Sequence, residues 1–517
     1  MSKPNILYIT LDQFRGDALS IAGHPCVKTP HLDALAEDGI RFSKHYCQAA
    51  PCSPARASLH TGLYQMNHRV ARNGSPLDAR HATVATEARK AGYDPLLFGY
   101  ADQSIDPREV EADDPRLLTY EGYLPGMSVH TPLAEDGLAW RNWLVEQGVD
   151  IGEKFKHIWR PRGKGKPKGP HREEPAFDAD QTETAFLTNR MIEHLAELKG
   201  SDEAWFLHVS HLRPHPPFVV PAPYNAMYSD SELPSPIRPR SLEDEKALHP
   251  YVAYELERTD IKDYIYEVKG PIAEIADADW QTMAAVYFGM ISEVDAQVGR
   301  KIAYLKENGL YDDTMIIVTS DHGEQLGDHY MAGKRGFFDS SFHIPLLIKP
   351  AGTSHKSGHV VEHFTESVDV MPTILEAIGV PVPSAVDGRA LTPFFHGEAP
   401  ADWRREARWE FDFRNTRSGK AQQALDLPID ACQLAVIRDE AFKYVHFTGL
   451  PPLLFDLKND PDELKNLAND PSYAVTRAEY AGRMLSWRMA HADRTLVGWD
   501  LSSEKGPAYK DTDRGPY

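Results

Sequence analysis

The chain predicts an α/β fold, a large mostly parallel sheet sandwiched by helices, followed by a smaller C-terminal α+β unit containing an antiparallel sheet. Three observations carry this. Apolar runs such as Asn5 to Leu11 alternate with helical stripes through most of the chain, as strands buried on both faces do. At 517 residues the length exceeds one ordinary domain. Beyond about Pro400 the pattern changes to short strands. The expected division is 1–399 and 400–517.

Taken in order, Asn5 to Leu11 reads as a strand with Asp12 at its carboxyl end, where open α/β sheets bind ligands. Thr29-Pro30 opens a helix through Asp38, stopped by Gly39, and Ile40 to Ala49 is extended. A helix over Val84 to Lys90 and a strand over Pro95 to Tyr100 follow. Lys154 to Pro175 is basic and rich in Pro and Gly, an exposed loop suited to a subunit contact or to guiding anions. Gln181 to Lys199 is helical, and Ala204 to Ser210 is a strand leading into His211 and a proline-rich turn that holds His215 near the ligand edge.

Asp279 to Asn308 carries a long apolar stripe, read as core, which feeds the strand Thr314 to Thr319. Asp321 and His322 stand at its end, as Asp12 does at the first strand's. Ile344 to Lys349 is a strand, and Asp369 is expected to cap a helix from Met371 to Ile378. The C-terminal part predicts strands over Arg408 to Phe413, Gln433 to Arg438, Lys443 to Phe447 and Leu453 to Leu457, then a helix from Tyr473 to His491. The polar tail past Leu501 is expected to lie on the surface or exchange between subunits.

The formal net charge of -20 argues against nucleic acid or an acidic membrane surface as partners, so an anion site must be cationic locally. Four cysteines, Cys26, Cys47, Cys52 and Cys432, form neither a zinc pattern nor a disulfide framework. No apolar run reads as a membrane span or export signal, so the expectation is a cytoplasmic protein.

The stretch Cys47 to Gly62 organises the rest. Ser53 fits an N-cap, Pro54 a first helical position and Gly62 a stop, which puts Cys52 at a helix mouth with Arg56 one turn on. Backbone N–H groups there favour an anion. Two acids and a histidine from two strand ends, Asp12, Asp321 and His322, make a single divalent-metal site beside it. The imidazole favours manganese, with calcium close behind.

Cys52-Ser53-Pro54-Ala55-Arg56, continued through Gly62, resembles the C-x-P-x-R signature of the sulfatases, members of the alkaline phosphatase superfamily, and of their relatives the phosphonate monoester hydrolases. Gly333-Lys334 with the aromatics that follow, and Phe455 to Glu463 with Asn466-Leu467, resemble further family stretches, so the likeness spans nearly the whole chain. The resemblance implies that Cys52 is oxidised to formylglycine by a formylglycine-generating maturation enzyme, and that Asp12, Gln13, Cys52, Asp321 and His322 surround one divalent metal. It implies that Arg56 and Lys334 stabilise charge on the transferred oxyanion and that His215 protonates the leaving group. Asn73, Tyr100 and Asp102 stand where the family contacts substrate. A small-molecule anionic ester as substrate and a homo-oligomer, a tetramer by likeness, are further expectations.

Two departures from the arylsulfatase pattern favour the phosphonate monoester hydrolase branch, which implies hydrolysis of phosphonate monoesters and phosphodiesters with side activity on sulfate monoesters. The first strand ends Asp12-Gln13 rather than in paired aspartates, and Gly99-Tyr100-Ala101-Asp102 replaces a lysine-rich stretch. Asp102 departs from that branch in turn, because a small hydroxyl residue stands near its position there. Three alternatives stay open: an arylsulfatase proper, a two-metal phosphatase or phosphomutase of the same fold, and a ligand-binding relative with unmodified Cys52.

Overall fold

The computed structural model describes residues 3–134, 137–200, 203–503 and 506–509. The N-terminal part contributes β1 (Asn5–Leu11), α1 (Pro30–Asp38), β2 (Ile40–Tyr46), β3 (Ala49–Ala50), α2 (Cys52–Thr61), α3 (Val84–Lys90), β4 (Pro95–Gly99) and β5 (Ser128–Pro132). Then come α4 (Glu183–Glu197), β6 (Phe206–His211), α5 (Asp277–Glu307), β7 (Thr314–Ser320), β8 (Leu346–Lys349), β9 (His359–Glu366) and α6 (Val370–Ala377). The remainder supplies β10 (Ala407–Asp412), β11 (Gln433–Arg438), β12 (Phe442–Phe447), β13 (Leu453–Asp456), α7 (Ala474–Ala490), β14 (Trp499–Ser502) and β15 (Gly506–Tyr509).

The large sheet has eight strands in the order β5-β4-β6-β1-β7-β8-β2-β9. All pairings are parallel except those of β8, which runs against both β7 and β2. Its central strands are buried on both faces because helices cover both. Leu7, Ile9 and Leu11 of β1 join the α4 and α5 side of the core, while Ile6 and Tyr8 join the α3 and α6 side. The stripe on α5 is core, as expected from its spacing, with Met283, Val286, Met290, Val294 and Val298 buried.

The smaller sheet, β13-β12-β11-β10-β3, is antiparallel but for one pairing. Its edge is β3, which lies parallel to β10 with Ala49 opposite Glu410 and Ala50 opposite Phe411. The chain thus leaves the large sheet at Tyr46, crosses to the small one at Ala49 and enters α2 at Cys52, so both sheets anchor that helix.

Two expectations need correction. Helix α2 begins at Cys52 rather than at Pro54, and no side chain caps it from the preceding position. Asn73 Oδ1, from a distant loop, accepts from the Ser53 N–H instead (3.0 Å), while the Ser53 hydroxyl is buried without a partner. The stop at Gly62 stands, with φ at 68° and its N–H on Ser58 O. Asp369 stands at the N-cap position of α6 but its side chain does not bond the helix N–H groups; it accepts from Glu366 N and Arg389 N and pairs with buried Arg404. The basic loop is part exposed and part buried, and four of its eight Lys and Arg side chains are paired, Arg160, Arg162, Lys164 and Arg172 with Glu267, Asp178, Glu173 and Asp230.

Strands β5 and β9 were not expected. β9 is half exposed and β5 ends in proline, so neither shows the continuous apolar run of a central strand. All four cysteines are free. The tail forms the hairpin β14–β15, and residues 510–517 lie outside the described residues. Among the described residues no helix is long and apolar enough to cross a membrane.

Candidate active site and metal centre

Strands β1, β6 and β7 are neighbours in register, so the residues at their carboxyl ends, Asp12, Ser210 and Asp321-His322, converge. Helix α2 enters beside them with Cys52 in its first turn and Arg56 one turn deeper. Gly323 after the histidine permits the approach of the next segment: a Cβ there would stand 2.1 Å from Ser340 O.

Arg56 is wholly buried, and each of its five N–H groups has a protein acceptor. Nε donates to Asp321 Oδ2 (2.9 Å), Nη1 to Ser210 Oγ (2.7 Å) and Tyr100 O (3.2 Å), and Nη2 to Asp12 Oδ2 (3.2 Å) and Tyr100 OH (3.1 Å). Its guanidinium also covers the Tyr100 ring. Arg56 thus holds the two acids from behind, with its hydrogen-bond donors committed to protein acceptors.

Asp12, Cys52, Asp321 and His322 each present one ligand atom within 4.8 Å of all the others, and all four are buried. Cys52 Sγ is 3.3 Å from His322 Nε2. His322 Nδ1 donates to Gly323 O (3.1 Å), which leaves Nε2 to face the cluster. Burial pushes His322 down to about 4, against the pull of Asp321, so it is neutral and able to ligate at pH 7. Burial raises the Asp321 carboxyl, but His322, Arg56 and Lys334 outweigh it and hold the group well below the carboxylate range. Two carboxylates, a neutral imidazole and residue 52 form a donor set suited to a divalent cation.

Lys334 Nζ donates to Cys52 Sγ (3.1 Å) and Gln13 Oε1 (2.9 Å), and lies 3.8 Å from Asp12 Oδ1. Burial lowers the Lys334 ammonium, but Cys52, Asp12 and Asp321 more than compensate and keep it charged. Burial and Asp12 push the Cys52 thiol well above its ordinary value, which leaves it a poor nucleophile as a thiol.

A cavity of about 660 Å³ opens onto this cluster, bordered on its inner side by Asp12, Gln13, Cys52, Asn73, Tyr100, Asp102, His215 and Lys334. Phe155 and Trp159 of the basic loop, with Tyr264, Tyr266 and Phe411, give it aromatic walls. The Tyr100 hydroxyl donates to Asp12 Oδ2 at 2.6 Å. Asp102 has left-handed backbone (φ 51°) and sits 3.9 Å from Arg56 Nε. Burial pushes its carboxyl up to about 8, with Arg56 opposing and Asp12 and Asp321 reinforcing. His215 Nδ1 is 2.8 Å from Pro216 O; a carbonyl only accepts, so Nδ1 carries the proton. Burial, then Lys334, lowers its pKa well below the ordinary value.

All the residues read from the sequence thus gather around one cavity or directly beneath it. The reading missed Ser210, which meets Arg56, and Glu324, a buried carboxylate that accepts from Gln13 Nε2, Leu326 N and Gly333 N. Glu324 ties the Gln13 amide to the loop bearing Lys334. It lies two residues after His322, and position in that motif was the available signal.

Strand ends, a cysteine-bearing helix and a compact acid and histidine cluster on an eight-stranded α/β sheet define the alkaline phosphatase superfamily as the class. Within it, residues 4–380 match the model of the sulfatase family and residues 327–490 that of the N-sulphoglucosamine sulphohydrolase C-terminal region, so the chain belongs to the sulfatase family and is a hydrolase. It is 42% identical to the multifunctional alkaline phosphatase superfamily protein PehA of Trinickia caryophylli, over 98% of this chain and 99% of the relative. The phosphonate monoester hydrolase of Agrobacterium radiobacter superposes with a TM-score of 0.95 at 48% identity, covering 98% of this chain and 100% of that one. An arylsulfatase of Clostridium perfringens is 28% identical over 93% of this chain and 94% of its own length.

Proposed function

We propose that the protein hydrolyses phosphonate monoesters and phosphodiesters, with sulfate monoesters as slower substrates, using formylglycine formed from Cys52 and one divalent metal ion. The observation that carries this reading is the convergence of Asp12, Cys52, Asp321 and His322 within 4.8 Å beside Lys334. The identity with phosphonate monoester hydrolases supports the ester class.

Asp12, Asp321, His322 and residue 52 would hold the metal, with the Gln13 amide alongside; manganese suits the mixed oxygen and imidazole set, and calcium is the second choice. When bound, the metal would withdraw charge from the transferred oxyanion and favour ionisation of an adjacent hydroxyl. Hydrated formylglycine would provide that hydroxyl as nucleophile, a role the protonated thiol fills poorly.

Lys334 would neutralise a nonbridging oxygen, and Asn73, Tyr100 and the neutral Asp102 would orient the same group. His215, protonated once the anionic ester is bound, would pass its Nε2 proton to the leaving oxygen, since Nδ1 is committed to Pro216 O. The aromatic walls give an organic substituent on phosphorus a place to lie.

Three further parts belong to this reading. A maturation enzyme acts on the Cys52 segment before folding closes over it. Four unpaired cysteines suit the cytoplasm. Exposed Leu485, Met489, Leu496, Val497 and Leu501 along α7 and the hairpin after it support a homo-oligomer, by likeness a tetramer.

The test is the mass of the peptide spanning Cys52, followed by turnover of matched aryl phosphonate monoesters, phosphodiesters and sulfate monoesters. An aldehyde at residue 52 with phosphorus esters turned over faster supports the reading. A thiol that persists after coexpression with a maturing enzyme overturns the nucleophile, and faster sulfate turnover would move the protein to the arylsulfatases proper.

A further inference from the structure

His215 lies on the turn that leaves β6, and a buried ion pair holds that turn. Arg213 is 3% exposed and Glu183, in the first turn of α4, is 1% exposed. Arg213 Nη1 donates to the carbonyls of His215 (3.2 Å) and Pro217 (2.7 Å), while Nη2 stands 2.7 Å from Glu183 Oε1. The carbonyl between those two, on Pro216, is the one that accepts from His215 Nδ1. Three consecutive carbonyls are thus occupied, the outer two by Arg213 and the middle one by the imidazole.

We propose that Arg213 and Glu183 are positioning residues that set the tautomer and aim of His215, an inference that rests on His215 being the leaving-group acid. Turning the Pro216 peptide away would release Nδ1 and let the ring exchange its proton-bearing nitrogen. Arg213 prevents this by holding both neighbours of that peptide. Its five donors in a rigid fork can reach two carbonyls and a carboxylate together, which a lysine cannot.

Glu183 answers the charge that Arg213 brings into the interior. Neither of its oxygens has a hydrogen-bond partner among the described residues; Glu183 borders the same cavity as His215, and its ion pair is with Arg213. A carboxylate is placed favourably in the first turn of a helix. Thr182, which caps α4 by accepting from Ala185 N, donates to Glu293 Oε1 on α5 (2.7 Å), so the carboxylate stands on a fixed base. A buried ion pair is a poor way to gain stability. Orientation of the acid explains why one is here.

The experiment compares kcat and KM of the metal-loaded, matured enzyme on aryl phosphonate monoesters running from nitrophenyl to phenyl, for wild type, Glu183→Gln, Arg213→Lys, His215→Ala and the double variant Glu183→Gln/His215→Ala. A group that assists departure matters more as the leaving group worsens. We expect Glu183→Gln and Arg213→Lys each to lose about tenfold in kcat on the phenyl ester, with a smaller loss on the nitrophenyl ester and KM little changed. Glu183→Gln should cost little more once His215 is gone.

Equal losses across the leaving groups, or losses that multiply in the double variant, would overturn the positioning role while leaving His215 as the acid. A His215→Ala series no steeper than wild type would remove the acid itself, and the positioning role with it. Should Glu183→Gln not fold, Arg213→Lys, which keeps the charge for Glu183 but cannot span both carbonyls, decides the matter on the same series.

Discussion

Arg56 Nε and Asp321 Oδ2 stand 2.9 Å apart in side chains that solvent does not reach. The same guanidinium holds Asp12 through Nη2. One cation therefore fixes both acids of the candidate metal centre and has no N–H left for substrate.

Removing Arg56 leaves two carboxylates buried without their common partner. Arg56→Ala should lower stability by about 3–5 kcal/mol, as breaking a buried pair does, and kcat/KM by about a thousandfold or more as the centre loses its geometry. Urea unfolding and steady-state kinetics on the same preparation test this. Turnover near that of the wild type would show that the centre keeps its shape without the arginine.

The cluster of Asp12, Cys52, Asp321 and His322 should couple metal binding to folding. Adding manganese to the chelator-treated protein should raise the unfolding midpoint, with stabilisation of about 2.7 kcal/mol once the metal is a hundredfold above its dissociation constant. Asp321→Asn should abolish the shift. A midpoint indifferent to manganese and calcium in the wild type would count against the donor set.

Asp102 should impose an alkaline limit. Its carboxyl, pushed up to about 8 by burial, is neutral below that pH and becomes an anion beside the oxyanion position above it. Wild-type kcat/KM should therefore fall as pH rises through about 8, and Asp102→Asn should remove that limb while staying within a few-fold at pH 7. Superimposable pH profiles for the two proteins would refute the assignment.

Acid should destabilise the fold through histidines buried as neutral groups. Burial pushes His60 and His68 down to about 3 from an ordinary 6.5. The unfolded chain takes up these protons below pH 6.5 and the folded one does not until about 3, so stability present above 6.5 drains away across that window. The loss is about 1.4 kcal/mol per pH unit per histidine, or about 2 kcal/mol each at pH 5. Urea midpoints at pH 7 and pH 5 measure it, and His60→Gln should flatten the slope.

Much of the architecture is legible from adjacent residues. The run Asn5 to Leu11 is a central strand, Asp12 and Asp321 stand at strand ends, and Gly62 stops α2 where its spacing predicts. These features depend on local propensity and on which faces are apolar, and both are written over a handful of neighbouring positions. Cys52, His215 and Lys334 were recognisable for the same reason, since each sits in a short motif.

The tertiary structure alone decided what each group meets. Nothing near Ala49 announces that it pairs with Glu410 across more than three hundred positions, nor that Asn73 replaces Ser53 at the start of α2. The place of Arg56 beneath the cluster followed from five acceptors drawn from β6, from the residues just past β1 and β7, and from the loop after β4. Sequence determines which residues can carry charge, cap or turn. Which partner satisfies a buried donor depends on strand order and register, which bring distant residues within 3 Å.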